Sequence, residues 1–189
     1  MKVLVTGFEP FGTFKKNPSW EAIKKIKDLN GISIVKYELP VEYEKSTKML
    51  LEILEKEKPN IAILTGVAGN RKDITVEKVA VNLRDANAPD NSGATLHDMP
   101  IFENGENAYF STLPVRDIID ELNSNGINSS ISYTAGTYVC NNAFYTLMYY
   151  INNSNKKIIG GFIHLPEDYS DNMSKALDIA IKKVIEQFE

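Results

Sequence analysis

An α/β layer fold is predicted for this chain, and three features predict it. Short apolar runs alternate with amphipathic helical patterns from end to end. Glycine, proline and asparagine punctuate the boundaries between them. No repeat, low-complexity stretch or linker interrupts the alternation, so residues 1–189 are expected to form one domain.

Taken in order, residues 3–6 read as the first strand. Asn17-Pro18-Ser19-Trp20 then opens a helix, because Asn17 suits the N-cap and Pro18 the first helical turn. Ile23 and Ile26 carry its apolar face until Gly31. Residues 32–39 are strand-like, and a helix over 44–58 keeps Met49, Leu50, Ile53 and Leu54 on one side until Pro59 stops it. Residues 60–66 form a short buried strand ending in a glycine turn. Residues 74–83 read as a further strand and 85–93 as a long turn-rich loop. A helix over 115–123 buries Ile118, Ile119 and Leu122, and a strand over 127–135 leads to Cys140. Ala143, Phe144, Leu147, Met148 and Ile151 recur at helical spacing, residues 158–164 are an apolar run, and an amphipathic helix over 172–188 closes the chain.

A hydrophobic share of 43% with 24% charged residues is ordinary for a globule with a proper core. The net charge of −4 argues against nucleic acid or an anionic membrane surface as a partner. No apolar stretch is long enough to span a bilayer, and the Met1-Lys2-Val3-Leu4-Val5-Thr6 start is broken too soon by Gly7 for a signal peptide. A single cysteine excludes an internal disulfide and suits a cytoplasmic location. One cysteine and two histidines leave too few soft ligands for a zinc site.

That cysteine, Cys140, falls where a strand-like run meets the start of a helix, a setting that favours the thiolate. His164 closes the apolar run Ile158-Ile159-Gly160-Gly161-Phe162-Ile163-His164 just before Leu165-Pro166, which presents an imidazole at the rim of a sheet. Together they make a nucleophile and base pair. The plainer readings are a small buried hydrophobe and a structural histidine. His97, in the loop Ala94-Thr95-Leu96-His97-Asp98-Met99-Pro100, is the competing base. Glu77 is the carboxylate that could orient an imidazole. Strand alternation sets it on one face with Val79, Val81 and Leu83, where it needs a partner to stay ionised, unless it is an edge glutamate reaching solvent beside Lys78. Gly7-Phe8-Glu9-Pro10-Phe11-Gly12 has the wrong glycine spacing for a dinucleotide loop. Its two phenylalanines suggest an apolar slot or core packing.

These segments closely resemble the pyroglutamyl peptidase I family of cysteine peptidases over nearly the whole chain. Val5-Thr6-Gly7-Phe8-Glu9-Pro10-Phe11-Gly12 with Asn17-Pro18-Ser19 is similar to its opening motif. The run from Ile74 to Asn82 resembles the segment of its catalytic glutamate, and Asp85-Ala86 with Pro89-Asp90-Asn91-Ser92-Gly93 the loop after it. The runs from Ser132 to Asn142 and from Gly161 to Pro166 resemble the nucleophile and histidine segments. The resemblance implies a single three-layer αβα domain around a mixed, mostly parallel twisted sheet. It implies Cys140 as nucleophile, His164 as base and then acid, and Glu77 as orienting partner. Phe8, Phe11, Asn17, Val67, Tyr138 and Val139 match pocket positions. The substrates would be peptides with an N-terminal pyroglutamate, the assembly a homotetramer, and no cofactor or metal would be needed.

The chain departs from the family pattern at a few positions. Asn87 stands where the family usually has arginine, and Arg84 is near enough in sequence to stand in for it. Val67 replaces a frequent glutamine and Val76 a frequent proline, and residues 167–171 replace a longer loop. The changes at Asn87 and Val67 keep open two other readings: a hydrolase of another small cyclic or blocked amide, and a catalytically weak pyroglutamate binder.

Overall fold

The structure, a computed structural model, describes residues 1–13, 15–29, 31–167 and 170–188. Strand β1 (Lys2–Phe8) pairs in parallel with β2 (Ser33–Leu39) on one side and β3 (Ile61–Val67) on the other, with α1 (Pro18–Lys25) and α2 (Tyr43–Glu57) making the connections. Asn17 caps α1 through its side chain, as its sequence position predicts. The helix ends sooner than expected. Ile26 is already extended as its C-cap, yet stays buried, and Gly31 serves a later turn at φ +76. Lys58 ends α2 in the left-handed region, the helical region being closed to a residue before proline.

The stretch 74–83 is two strands rather than one. Strand β4 (Ile74–Glu77) stays in the main sheet, whereas β5 (Val79–Val81) leaves it to pair antiparallel with β6 (Ala108–Phe110), a strand with no clear sequence signal. Lys78 is the break: its amide donates to Ser132 O at 2.7 Å and its carbonyl accepts from Ser111 N at 2.9 Å, so its two sides serve different partners. Glu77 therefore shares a face with Thr75, and not with Val79, Val81 and Leu83.

After α3 (Val115–Ser124) comes β7 (Ser129–Ser132), shorter than the run that predicts it. Then follow α4 (Val139–Asn153), β8 (Ile159–Leu165) and α5 (Asp171–Phe188). The main sheet has six strands in the order β2-β1-β3-β8-β4-β7; only the β4–β8 pair is antiparallel. It is thus mixed and mostly parallel. Val3, Val5, Ile61, Ile63, Ile74, Val76 and Ile163 pack on one face with α1, α3 and α5. Leu4, Ala62, Leu64 and Phe162 pack on the other with α2 and α4. Alternation along each strand places Thr75, Glu77, Gly66 and His164 on that second face, under the helix that carries Cys140. No helix among the described residues is long and apolar enough to cross a membrane.

Candidate active site

Register brings the site together. Gly66 in β3 and Thr75 in β4 both lie opposite His164 in β8, near the carboxyl ends of β3 and β8. Cys140 is the second residue of α4, after an extended N-cap, Tyr138, whose side chain makes no capping bond. The amides of the first turn have no partner within a helix. A Cβ on Gly66 would stand 2.8 Å from Cys140 Sγ and 2.9 Å from Phe162 Cζ, so the sulfur occupies space that only glycine leaves open. Gly66→Ala is expected to displace the thiol, lowering kcat/KM at least about tenfold and costing about 1–3 kcal/mol of stability. Paired kinetic and melting measurements on the variant check this, and an unchanged kcat/KM would refute it.

Two asparagines fix the start of α4. Asn141 bonds both the amide and the carbonyl of Val81, at 3.1 and 2.9 Å. Asn142 donates to Tyr43 O at 3.0 Å and accepts from Arg84 Nε at 2.8 Å. The first helical turn is thereby held against β5 and α2 before any substrate arrives.

Glu77 is fully buried, and its Oε1 meets His164 Nδ1 at 2.7 Å and Arg71 Nη1 at 2.6 Å. Burial alone would raise its pKa. The hydrogen bond and charge of His164, with Arg71, outweigh that and hold the carboxyl below its usual range. An ionised Glu77 makes Nδ1 the donor and leaves Nε2 of a neutral imidazole free to accept a proton. His164 is itself held below the usual histidine range by burial, with Arg71 adding to the effect and Glu77 opposing it. Burial pushes the Cys140 thiol up to about 12, Glu77 adds to that, and Arg71 opposes it. Desolvation thus opposes the thiolate that the helix start is expected to favour, and the thiol needs a base.

Cys140 and His164 line a cavity of about 410 Å³. Phe8, Phe11, Val41, Val67, Tyr138 and Val139 supply apolar walls, with Asn17, the turn 68–71 and the segment 134–136 around them. All six residues expected from sequence at the pocket are there, and Glu77 sits behind His164. Asn17 lines the cavity while acting as N-cap: its Oδ1 accepts from Ser19 N at 3.0 Å and its Nδ2 donates to Glu9 O at 3.0 Å. His97 is elsewhere, exposed and paired with Asp85 at 3.0 Å. Asn87 is exposed and outside the lining. Arg84 does not stand in at the site, since it is buried on Asn142 and Glu44 with its guanidinium over the Tyr43 ring. Asp168 and Tyr169 of the 167–171 segment lie outside the described residues. Sequence reasoning missed Val41, the turn 68–71 and Arg71. The available signal was position, because the turn follows the carboxyl end of β3, where α/β sheets bind ligands. Among the described residues no group of three or more His, Cys, Asp and Glu could hold a metal ion.

A family model described as pyroglutamyl peptidase matches residues 1–185. The pyrrolidone-carboxylate peptidase of Thermosipho africanus (strain TCF52B) is 45% identical over 202 residues, covering 100% of this chain and 98% of its own. That of Brachyspira hyodysenteriae (strain ATCC 49526 / WA1) is 50% identical over 167 residues, covering 88% of this chain and 83% of its own. Among solved structures, Bacillus amyloliquefaciens pyroglutamyl peptidase I superposes with a TM-score of 0.94 at 40% identity, covering 100% of this chain and 98% of that one. A pyrrolidone carboxyl peptidase mutant (E192D) from the hyperthermophile Pyrococcus furiosus reaches 0.96 at 36% identity, with both chains covered in full.

Proposed function

The chain belongs to the pyroglutamyl peptidase family, and from that premise we propose that Cys140 is its nucleophile, His164 its base and then acid, and Glu77 the group that orients the imidazole. The chain is a hydrolase, a cysteine peptidase that removes N-terminal pyroglutamate from peptides. The observation that carries the residue roles is the buried Glu77–His164 contact of 2.7 Å behind a cavity that Cys140 also lines.

The pocket suits this substrate. A pyroglutamyl residue is a small, flat, neutral lactam without a free amine, and among the described residues no carboxylate lines the pocket to hold an ammonium group. Its ring would lie between Phe8, Phe11, Val67 and Val139, with Tyr138 closing the side; Asn17 has one Nδ2 proton beyond its bond to Glu9.

In the first half-reaction His164 Nε2 takes the Cys140 proton and the thiolate attacks the pyroglutamyl carbonyl. The oxygen of the tetrahedral intermediate meets the first-turn amides of α4, with Cys140 N–H the nearest donor to the reacting carbon. His164 returns its proton to the departing amine, leaving a thioester. Water deprotonated by His164 then attacks the thioester, and free pyroglutamate leaves as Cys140 regains its proton.

The resemblance extends the reading to one catalytic domain over residues 1–189, a homotetramer and a cytoplasmic location. Exposed Phe110 and Tyr133 are apolar surface that such an assembly could use, and a lone thiol without a disulfide suits a reducing compartment. The test compares coumarin amides of pyroglutamate, proline and acetyl-alanine in reducing buffer. Release from the pyroglutamyl amide alone is expected. Equal release from either other amide would sink the lactam specificity, and product binding without hydrolysis would replace the enzyme by a binding protein.

A further inference from the structure

Outside the three groups already given roles, one charged side chain among the described residues lines the cavity, and it carries more bonds than a bystander needs. Arg71 ends the turn after β3, where its amide bonds Ala68 O at 3.0 Å. One guanidinium nitrogen, Nη1, donates to Glu77 Oε1 at 2.6 Å and to Thr75 Oγ1 at 2.5 Å. The other, Nη2, donates to Thr134 O at 2.8 Å. Thr134 belongs to the segment 134–136 that walls the cavity just before the nucleophile. The Ser132 hydroxyl donates to the same carbonyl at 3.0 Å, leaving Glu77 Oε2 without a hydrogen bond among the described residues. The carboxylate therefore depends on its other oxygen, which Arg71 and His164 share.

We propose that Arg71 is a positioning residue for the reaction: its guanidinium fixes the carboxylate that orients His164, ties the pocket wall to β4, and balances a buried negative charge. The inference rests on the roles given above to Cys140, His164 and Glu77. A planar fork is needed because the two bonded directions diverge, one into the sheet and one to the loop; an ammonium group is a single point that serves one or the other. The charge matters as much as the shape. Glu77 stabilises a protonated His164 and a protonated Cys140, and Arg71 opposes it at both groups. Any proton leaving the Cys140–His164 pair lowers its charge, so a nearby cation lowers the pH at which the pair becomes active. Among the described residues the other titratable groups facing the pair do not substitute. Tyr138 is neutral with its pKa raised, and the Glu167 carboxylate is near Gly69 at the rim, with the opposite sign.

The experiment compares wild type, Arg71→Met and Arg71→Lys by three readouts. These are the pH profile of kcat/KM on the pyroglutamyl coumarin amide, the pH profile of iodoacetamide alkylation, and the melting temperature. Cys140 is the only thiol in the chain, so alkylation reads its ionisation without requiring turnover. In Arg71→Met, kcat is expected to fall at least about tenfold, with the acid limb of both profiles about one pH unit higher. Guanidinium ion added at millimolar concentration should restore part of kcat. Arg71→Lys should keep the acid limb near wild type but still lose about tenfold in kcat, because it keeps the charge and loses the fork. An Arg71→Met profile that does not move in pH overturns the proposal, and so does an Arg71→Lys kcat within twofold of wild type. The lysine variant decides the matter if the methionine variant fails to fold. Wild type lacking activity would instead sink the functional reading.

Discussion

Replacing Cys140 by alanine is expected to remove turnover of the pyroglutamyl coumarin amide, with a loss on the order of 10⁵-fold or more. The chain has no second thiol to take over, and covalent chemistry needs a nucleophile at this one point. The sulfur sits over Gly66 at the start of α4, and among the described residues no other nucleophilic hydroxyl or amine is brought to that spot: Thr134 bonds elsewhere and Tyr138 donates to Pro89 O at 2.9 Å. Alanine removes one atom from a turn held by Asn141 and Asn142, so the fold should survive with its melting temperature nearly unchanged. The apolar walls also survive, and calorimetry should still detect pyroglutamate binding by the inactive variant. Serine should be almost as poor, because its hydroxyl is a far weaker acid than a thiol and the site already disfavours ionisation. Iodoacetamide should inactivate wild type with one label per chain. Turnover persisting in the alanine variant, or in fully alkylated wild type, would show the thiol to be structural.

What could be read from the sequence was what local chemistry marks. Asn17-Pro18 announces a helix start, Pro59 a helix end, and a strand closing on His164 before Pro166 a sheet rim. The site's partners are a different matter. Glu77 touches His164 because β4 runs antiparallel beside β8, a pairing between residues far apart in the chain that no local periodicity encodes. The strand break at Lys78 escaped for the same reason: its backbone serves Ser132 and Ser111, and Asn141 pulls β5 toward α4. Whether Arg84 replaces the family arginine is a question the sequence leaves open, and the chain buries it against Asn142. Arg71, which does reach the site, lay in a short turn with no pattern of its own. The thiol shows the limit most plainly. A helix start is visible in sequence; the burial that opposes it is a property of the packed fold.

The second large effect is expected from His164, and it separates the base from everything around it. His164→Gln keeps an amide donor facing Glu77, and Arg71 still holds the carboxylate, so the buried charge keeps partners and the variant should fold. It cannot accept the thiol proton, and kcat/KM near neutral pH should fall on the order of 10⁴-fold or more. The pH dependence distinguishes loss of a base from loss of a support. In wild type the imidazole is held below the usual histidine range, mainly by burial, so activity should rise with pH only until the imidazole is neutral and then level off. In His164→Gln the thiolate has to form without a base, from a thiol pushed up to about 12. Its residual activity and its alkylation rate should therefore keep climbing tenfold per pH unit through the alkaline range. His97→Ala is the control. That residue is exposed and paired with Asp85 away from the cavity, so its loss should leave kcat/KM within about twofold. A His164→Gln profile that merely parallels wild type at lower height would mean that a group other than His164 takes the proton.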